Sequence, residues 1–232
     1  DRDSEDLFLQ KLSLTTLEPD GGPSRATDLV PSGGLHVRAL LPRGTIAKDA
    51  LRLVFELERK PASFIEQQTI AFGDIGRELA TSGSNREGRG VGTLALVNID
   101  KSKAHAPQIA CSGELCFVVW HGESPPGAHG VAFELSSGRA VWRRKFSPTG
   151  AYPAVGATPA AGAMVAWIED GRLVASPLGR AGFGRAARIG RAQATQPVVA
   201  VAAGAEKGLF FAAWLDMEAT LPEPYVARLR CP

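Results

Sequence analysis

The sequence predicts an all-β chain, a β-propeller built from four-stranded blades of about 45 residues each. Three observations carry that expectation. Trp120, Trp167 and Trp214 recur at intervals of 47 and 47 residues. Each closes a short apolar run, and each follows a proline (Pro107, Pro153 or Pro197) by 13 to 17 residues. Between proline and tryptophan every unit carries a glycine-bearing turn, so each unit opens as an apolar hairpin.

The first hairpin runs from Pro107 through the turn at Gly113 to Trp120. The second pairs Pro153–Gly156 with Ala163–Trp167, and the third pairs Pro197–Val201 with Leu209–Trp214. The prolines are expected at strand starts, where a missing backbone donor costs least. A third run follows each tryptophan after a polar stretch: Gly130–Leu135, Arg172–Ser176 and Tyr225–Leu229, each containing Val-Ala. A fourth run, Ala140–Phe146 or Arg185–Ile189, closes the first two units. Three blades result, at about 101–146, 147–190 and 191–232. The runs show little strict alternation, as expected of strands covered on both faces by neighbouring blades, and the tryptophans are expected to pack between blades.

The third unit has no fourth run before Arg230-Cys-Pro232. A bare edge invites aggregation, so an N-terminal strand within Asp6–Leu14 is expected to complete the last blade. Residues 1–100 repeat less clearly and form either degenerate blades or a separate β region. Leu35–Leu41, Leu51–Leu57 and Phe64–Phe72 read as strands with partial alternation, and Gly92–Val97 as the strand closing the preceding blade. Turn-rich loops are expected at 18–23 and 81–90.

Composition narrows the class. A net charge of +2 with 22% charged residues lacks the concentrated basic excess of a nucleic-acid-binding surface. Arg143-Arg-Lys145 falls in an expected outer strand, where charge protects an edge. No run reaches the roughly 18 apolar residues of a transmembrane segment. Asp1–Asp6 is acidic without an apolar stretch, so no signal peptide is expected there. Cys111 and Cys116 flank a tight turn and are placed to face one another across it. Oxidised, they form a disulfide and place the chain in a secreted, periplasmic or cell-surface location; reduced, they are two buried thiols. Cys231 is left over, either free or bridged to another chain.

The Pro…(Val/Phe)-Val-Trp-(acidic) pattern over about residues 92–230 resembles the irregular bacterial β-propeller repeat proteins with sialidase-like blade architecture. The Asp box of sialidases, Ser-x-Asp-x-Gly-x-x-Trp, is absent, and the nearest stretch, Ser147–Tyr152, lacks its aspartate. The resemblance implies the architecture and no catalytic residues.

In such an architecture the loops from second to third strands, and from one blade to the next, share one face. The former begin at Trp120-His-Gly-Glu123, Trp167-Ile-Glu-Asp170 and Trp214-Leu-Asp-Met-Glu218. His121, Glu123, Glu169, Asp170, Asp216 and Glu218 therefore form an expected ligand-binding rim, since clustered carboxylates suit cations or sugar hydroxyls. His129 is expected in the same loop as His121. The inter-blade loops add Lys103, His105, Tyr152, Gln193 and Gln196, suited to hydrogen-bonding a glycan or peptide. No standard metal-ligand spacing is met, and Gly179–Gly184 lacks the strand-turn-helix setting of a nucleotide fingerprint. Neither a metal nor another cofactor is expected. The functional expectation is a non-enzymatic extracellular binding or scaffold module, its partner another protein chain or a glycan. The alternative is a propeller-type glycoside hydrolase or lyase with rim carboxylates.

Overall fold

The computed structural model describes residues 4–5, 8–9, 13, 15–18, 24–25, 37–47, 50–59, 62–71, 93–96, 103–158, 162–192, 199–216, 221 and 223–231. The described regular structure is all strand, arranged in antiparallel sheets with one short parallel pair. The chain divides into two compact units, Asp1–Lys101 and Ser102–Pro232.

In the first unit, β1 (Ser4–Glu5) pairs in parallel with β4 (Val37–Ala47), after β2 (Phe8–Leu9) and β3 (Ser24–Arg25) have paired with each other. From β4 the sheet continues through β5 (Ala50–Arg59) and β6 (Ala62–Ala71) to β7 (Thr93–Leu96). Val54 and Phe55, at the centre of β5, are fully buried. Of the N-terminal segment expected to complete the last blade, only Phe8, Leu9 and Ser13 are among the described residues. Phe8–Leu9 uses its backbone groups on Ser24–Arg25 within its own unit, and the last sheet has three strands among the described residues. Of the two expected loops, 81–90 lies outside the described residues, as does 18–23 apart from Glu18.

The second unit is three sheets of propeller-blade type in succession. The first is a four-stranded meander: β8 (Ala104–Ser112), β9 (Leu115–Glu123), β10 (Pro126–Glu134) and β11 (Ala140–Ser147). The second runs β12 (Ala151–Thr158), β13 (Gly162–Glu169) and β14 (Arg172–Gly179). Its outer edge is closed by two short pieces, β15 (Gly182–Phe183) and β16 (Ala187–Arg191), which both pair with β14. The third is β17 (Val199–Ala203), β18 (Leu209–Asp216) and β19 (Glu223–Arg230). Cys111 and Cys116 are register partners across the β8–β9 hairpin and form a disulfide. Cys231 is a free thiol.

Side chains alternating along the strands build a core on each side of the second sheet. Phe117 and Val119 of the first sheet meet Val165, Trp167 and Val174 of the second. On the other side Met164, Ala166, Ile168 and Leu173 meet Phe210, Ala212 and Trp214 of the third. Trp167 and Trp214 thus each face the preceding sheet. Trp120, out of phase with Phe117 and Val119, lies on the first sheet's face turned away from the second. Two buried indole N–H groups are paired with backbone carbonyls: Trp142 Nε1 donates to Gly179 O (3.1 Å) and Trp214 Nε1 to Arg191 O (2.7 Å). The innermost strands approach closely where a glycine permits it: a Cβ on Gly156 of β12 would stand 2.8 Å from the Val201 carbonyl oxygen of β17.

The prolines do not sit at strand starts as expected. Pro107 and Pro153 lie inside β8 and β12, each at a register shift, between His105 and Gln108 in one case and Ala151 and Ala154 in the other. A bulge leaves a residue without a ladder partner, so it tolerates the missing N–H as well as a strand end does. In both bulges the residue before proline has positive φ: 51° at Ala106 and 49° at Tyr152. Pro197 lies outside the described residues.

Candidate functional site

The strand β9 does not end at Trp120. It continues through His121 and Gly122 to Glu123, and the reversal is made by Ser124-Pro125. His121 and Glu123 are therefore strand residues rather than loop residues. His129 is not in their loop but on β10, directly opposite Trp120, on whose ring it stacks (centroids 5.7 Å apart, 16° between planes). A Cβ on Gly122 would stand 2.8 Å from His129 Nε2, so this strand end accepts the buried imidazole only because position 122 has no side chain.

On the other flank of β9, His121 is the register partner of His105 on β8. His105 Nε2 lies 3.1 Å from Glu123 Oε1, and the Glu123 backbone N–H donates to Lys103 O at 2.9 Å. Glu123 is thereby held at the sheet end with its carboxylate half exposed. Tyr152 reaches this group from the second sheet, with its ring stacked on that of His121 at 4.9 Å and 14°. The positive φ at Tyr152 belongs to the β12 bulge, and a non-glycine residue held there is strained by about 1–3 kcal/mol. The imidazole of His121 titrates below its ordinary value. Burial is the largest cause and the His105 charge the next, opposed by the Glu123 carboxylate and the Gly150 backbone.

Glu169 ends β13, one residue beyond Ile168, which pairs with Ala151 beside Tyr152. Its Oε2 accepts from Trp167 Nε1 at 3.0 Å and its Oε1 from Thr149 Oγ1 at 3.4 Å. Asp170 and Gly171 both have positive φ (51° and 67°), the two-residue hairpin turn that Asp-Gly favours. The Asp170 carboxylate pairs with Arg188 at 3.7 Å, both groups largely exposed. Asp216 ends β18 opposite Glu223, with its side chain outside the described residues. Glu218, Gln193 and Gln196 also lie outside them.

The described residues of the expected rim fall into three sets of contacts. His121 and Glu123 stand together with His105 and Tyr152, Glu169 stands with Thr149 and Trp167, and Asp170 is a turn residue with its own ion pair. Thr149 is absent from the sequence-derived candidates; its signal is its place in the short Ser147–Gly150 connection between the first two sheets. Among the described residues, no group of three or more His, Cys, Asp or Glu side chains is arranged to hold a metal ion. Chemically, the first group offers a stacked aromatic surface, a carboxylate acceptor and an imidazole; the second adds another carboxylate.

The class these features define is an all-β protein of blade-type sheets with a polar and aromatic group at the sheet ends. No protein-family model and no characterised protein sequence matches the chain. Among solved structures it is similar to the catalytic domain of a GH62 alpha-L-arabinofuranosidase from Coprinopsis cinerea, at 8% identity and a TM-score of 0.47. It is similar also to an alpha-L-arabinofuranosidase from Podospora anserina, solved in complex with cellotriose, at 10% identity and the same TM-score. In each comparison 82% of this chain is covered, and the chain spans 63% of the other.

Proposed function

We propose that the chain is a non-enzymatic binding module of an oxidising compartment, outside the cytosol, and that its site at Tyr152, His121, His105 and Glu123 takes a glycan. The observation that carries this reading is the Tyr152–His121 stack beside the Glu123 carboxylate. A flat ring partly open to solvent offers its face to the C–H side of a sugar. Carboxylate acceptors at fixed places then select hydroxyls around it, the usual division of labour in a ligand site. Glu169, held by Thr149 and Trp167, is the second acceptor. The Cys111–Cys116 disulfide supports the compartment, since such bonds persist where thiols are not kept reduced. In this reading the sheets are blades of the irregular kind without Asp boxes.

A hydrolase needs an acid and a second carboxylate across the bound sugar, roughly 5–10 Å apart. Here Glu123 and Glu169 are each engaged by neighbours of their own sheet, which suits fixed acceptors better than groups that exchange protons. The test is calorimetric titration of the full chain with a panel of plant and bacterial oligosaccharides, with a reducing-end assay on the same mixtures. Binding that Tyr152→Ala abolishes, without new reducing ends, supports the module. New reducing ends replace it with the hydrolase, and no binding across the panel removes the glycan.

A further inference from the structure

The second sheet carries a row of charged residues at the end where Tyr152 and Glu169 stand. Glu169 of β13 is the register partner of Arg172 of β14, and Arg172 in turn is the partner of Arg191 of β16. Residues directly opposite one another share a face. Glu169 lies two residues beyond Trp167, whose face is packed on the first sheet. The row therefore runs on that face from Glu169 outward to the outermost strand, with both arginines exposed. Arg188, opposite Val174, lies on the same face.

Two like charges directly opposite on adjacent strands repel, because their Cβ atoms stand only about 5 Å apart. The carboxylates beside this pair are engaged elsewhere. Glu169 accepts from Trp167 Nε1 and Thr149 Oγ1. Asp170 pairs with Arg188. Among the described residues the Arg172 guanidinium makes no hydrogen bond or ion pair, although Glu169 is its register partner.

We propose that Arg172 and Arg191 take the carboxylate of an acidic sugar, so that the ligand is a glycan of uronic-acid type, an inference that rests on the glycan reading of the Tyr152 site. A planar guanidinium meets a carboxylate through two parallel N–H···O bonds, which a neutral hydroxyl does not reproduce. An anion set between the two arginines turns their repulsion into two attractions. Opposite signs along one row also fix direction: hydroxyls go to Glu169, and the acid group goes away from it to the arginines. The outer arginine stands two strand spacings, about 10 Å, from the strand of Glu169. The ligand that reaches both is therefore an oligosaccharide rather than a single sugar.

The test is calorimetric titration of the full chain with oligosaccharides of galacturonate and of mannuronate, each beside its methyl ester. The ester keeps the sugar chain and removes the charge. One acid form is expected to bind about tenfold more tightly than its ester, and that advantage is expected to shrink as salt is raised. Arg172→Gln and Arg191→Gln are each expected to cut the advantage by about threefold, and the double variant to abolish it. Arg139→Gln makes the same charge change at the opposite end of the first sheet and is expected to leave it intact. Tyr152→Ala is expected to abolish binding of acid and ester alike. Equal affinity for acid and ester overturns the arginine assignment and leaves a glycan site at Tyr152. An advantage that survives the double variant also overturns it, since the charge is then read elsewhere. Binding of neither acid overturns it as well: if neutral oligosaccharides still bind, the glycan reading stands without it, and if none binds, both fall.

Discussion

Tyr152 lies face to face with His121, their ring centroids 4.9 Å apart, although one belongs to the second sheet and the other to the first. The contact depends on a backbone conformation that tyrosine adopts at a cost, φ of 49° at the β12 bulge. Ala106 repeats that conformation on β8. The bulge is therefore a property of the blade, and the tyrosine on it is particular to this junction.

Strain and stacking at position 152 can be separated by substitution. Tyr152→Ala removes the stack and keeps the positive φ, whereas Tyr152→Gly removes both. The glycine variant is expected to be the more stable of the two by about 1 kcal/mol. Both are expected to lose glycan binding. Urea unfolding compared with titration distinguishes the two effects, and equal stability of the variants would mean that position 152 stores no strain.

The depressed titration of His121 has a pH consequence. Between the folded value and 6.5, its ordinary value, the unfolded chain binds the proton more readily than the folded one. The contribution of the neutral imidazole is therefore whole above pH 6.5 and is lost as pH falls through the folded value. The charges of His105 and His129 push the His121 value further down, and Glu123 opposes them. Unfolding free energy is expected to fall on acidification from pH 7 to 5, and His121→Phe is expected to flatten that profile. An unchanged slope in the variant would assign the dependence to other groups.

The close approach of β12 and β17 predicts a severe position. A side chain at 156 meets the backbone oxygen of Val201, which cannot swing aside as a side-chain tip would. Gly156→Val is expected to destabilise by about 1–3 kcal/mol, the usual cost of overpacking. Gly179→Val, where a Cβ meets nothing within 4 Å, is the control and is expected to be near neutral. Chemical denaturation of the two variants checks this directly.

Reduction of Cys111–Cys116 opens a loop of sequence separation 5. Chain-entropy reasoning gives about 2 kcal/mol for a loop this short. Reduced protein is therefore expected to unfold at lower denaturant and to alkylate at three cysteines, against one (Cys231) in the oxidised form. Alkylation followed by intact-mass measurement reads both states.

The hairpins around Trp120, Trp167 and Trp214 were legible because strands covered on both faces are written as continuous apolar runs, and repetition of the same run removes the ambiguity between helix and strand. The facing of Cys111 and Cys116 followed from the tight turn at Gly113, and the structure gives their disulfide. The site was less legible. An apolar run marks only the covered part of a strand, so β9 passing three residues beyond Trp120 left no trace and His121 and Glu123 read as loop. The contact of His105 with Glu123 depends on a register shift between His105 and Gln108, and Ala106-Pro107 does not announce it. The pairing of Phe8–Leu9 with Ser24–Arg25 is likewise a choice between partners that a short apolar segment does not encode.

Trp167 and Trp214 each look back toward the sheet made before their own, and Trp120 is oriented the same way on the first sheet. The order of support therefore follows the order of synthesis. The second and third sheets each bring an indole that packs on the sheet before, so the three sheets stack in one direction with neighbours coupled. The junction of the first and second sheets holds Trp142 and Trp167, and that of the second and third holds Trp214. The emission of Trp167 and of Trp214 accordingly reports on different junctions, and local opening can be followed one sheet boundary at a time.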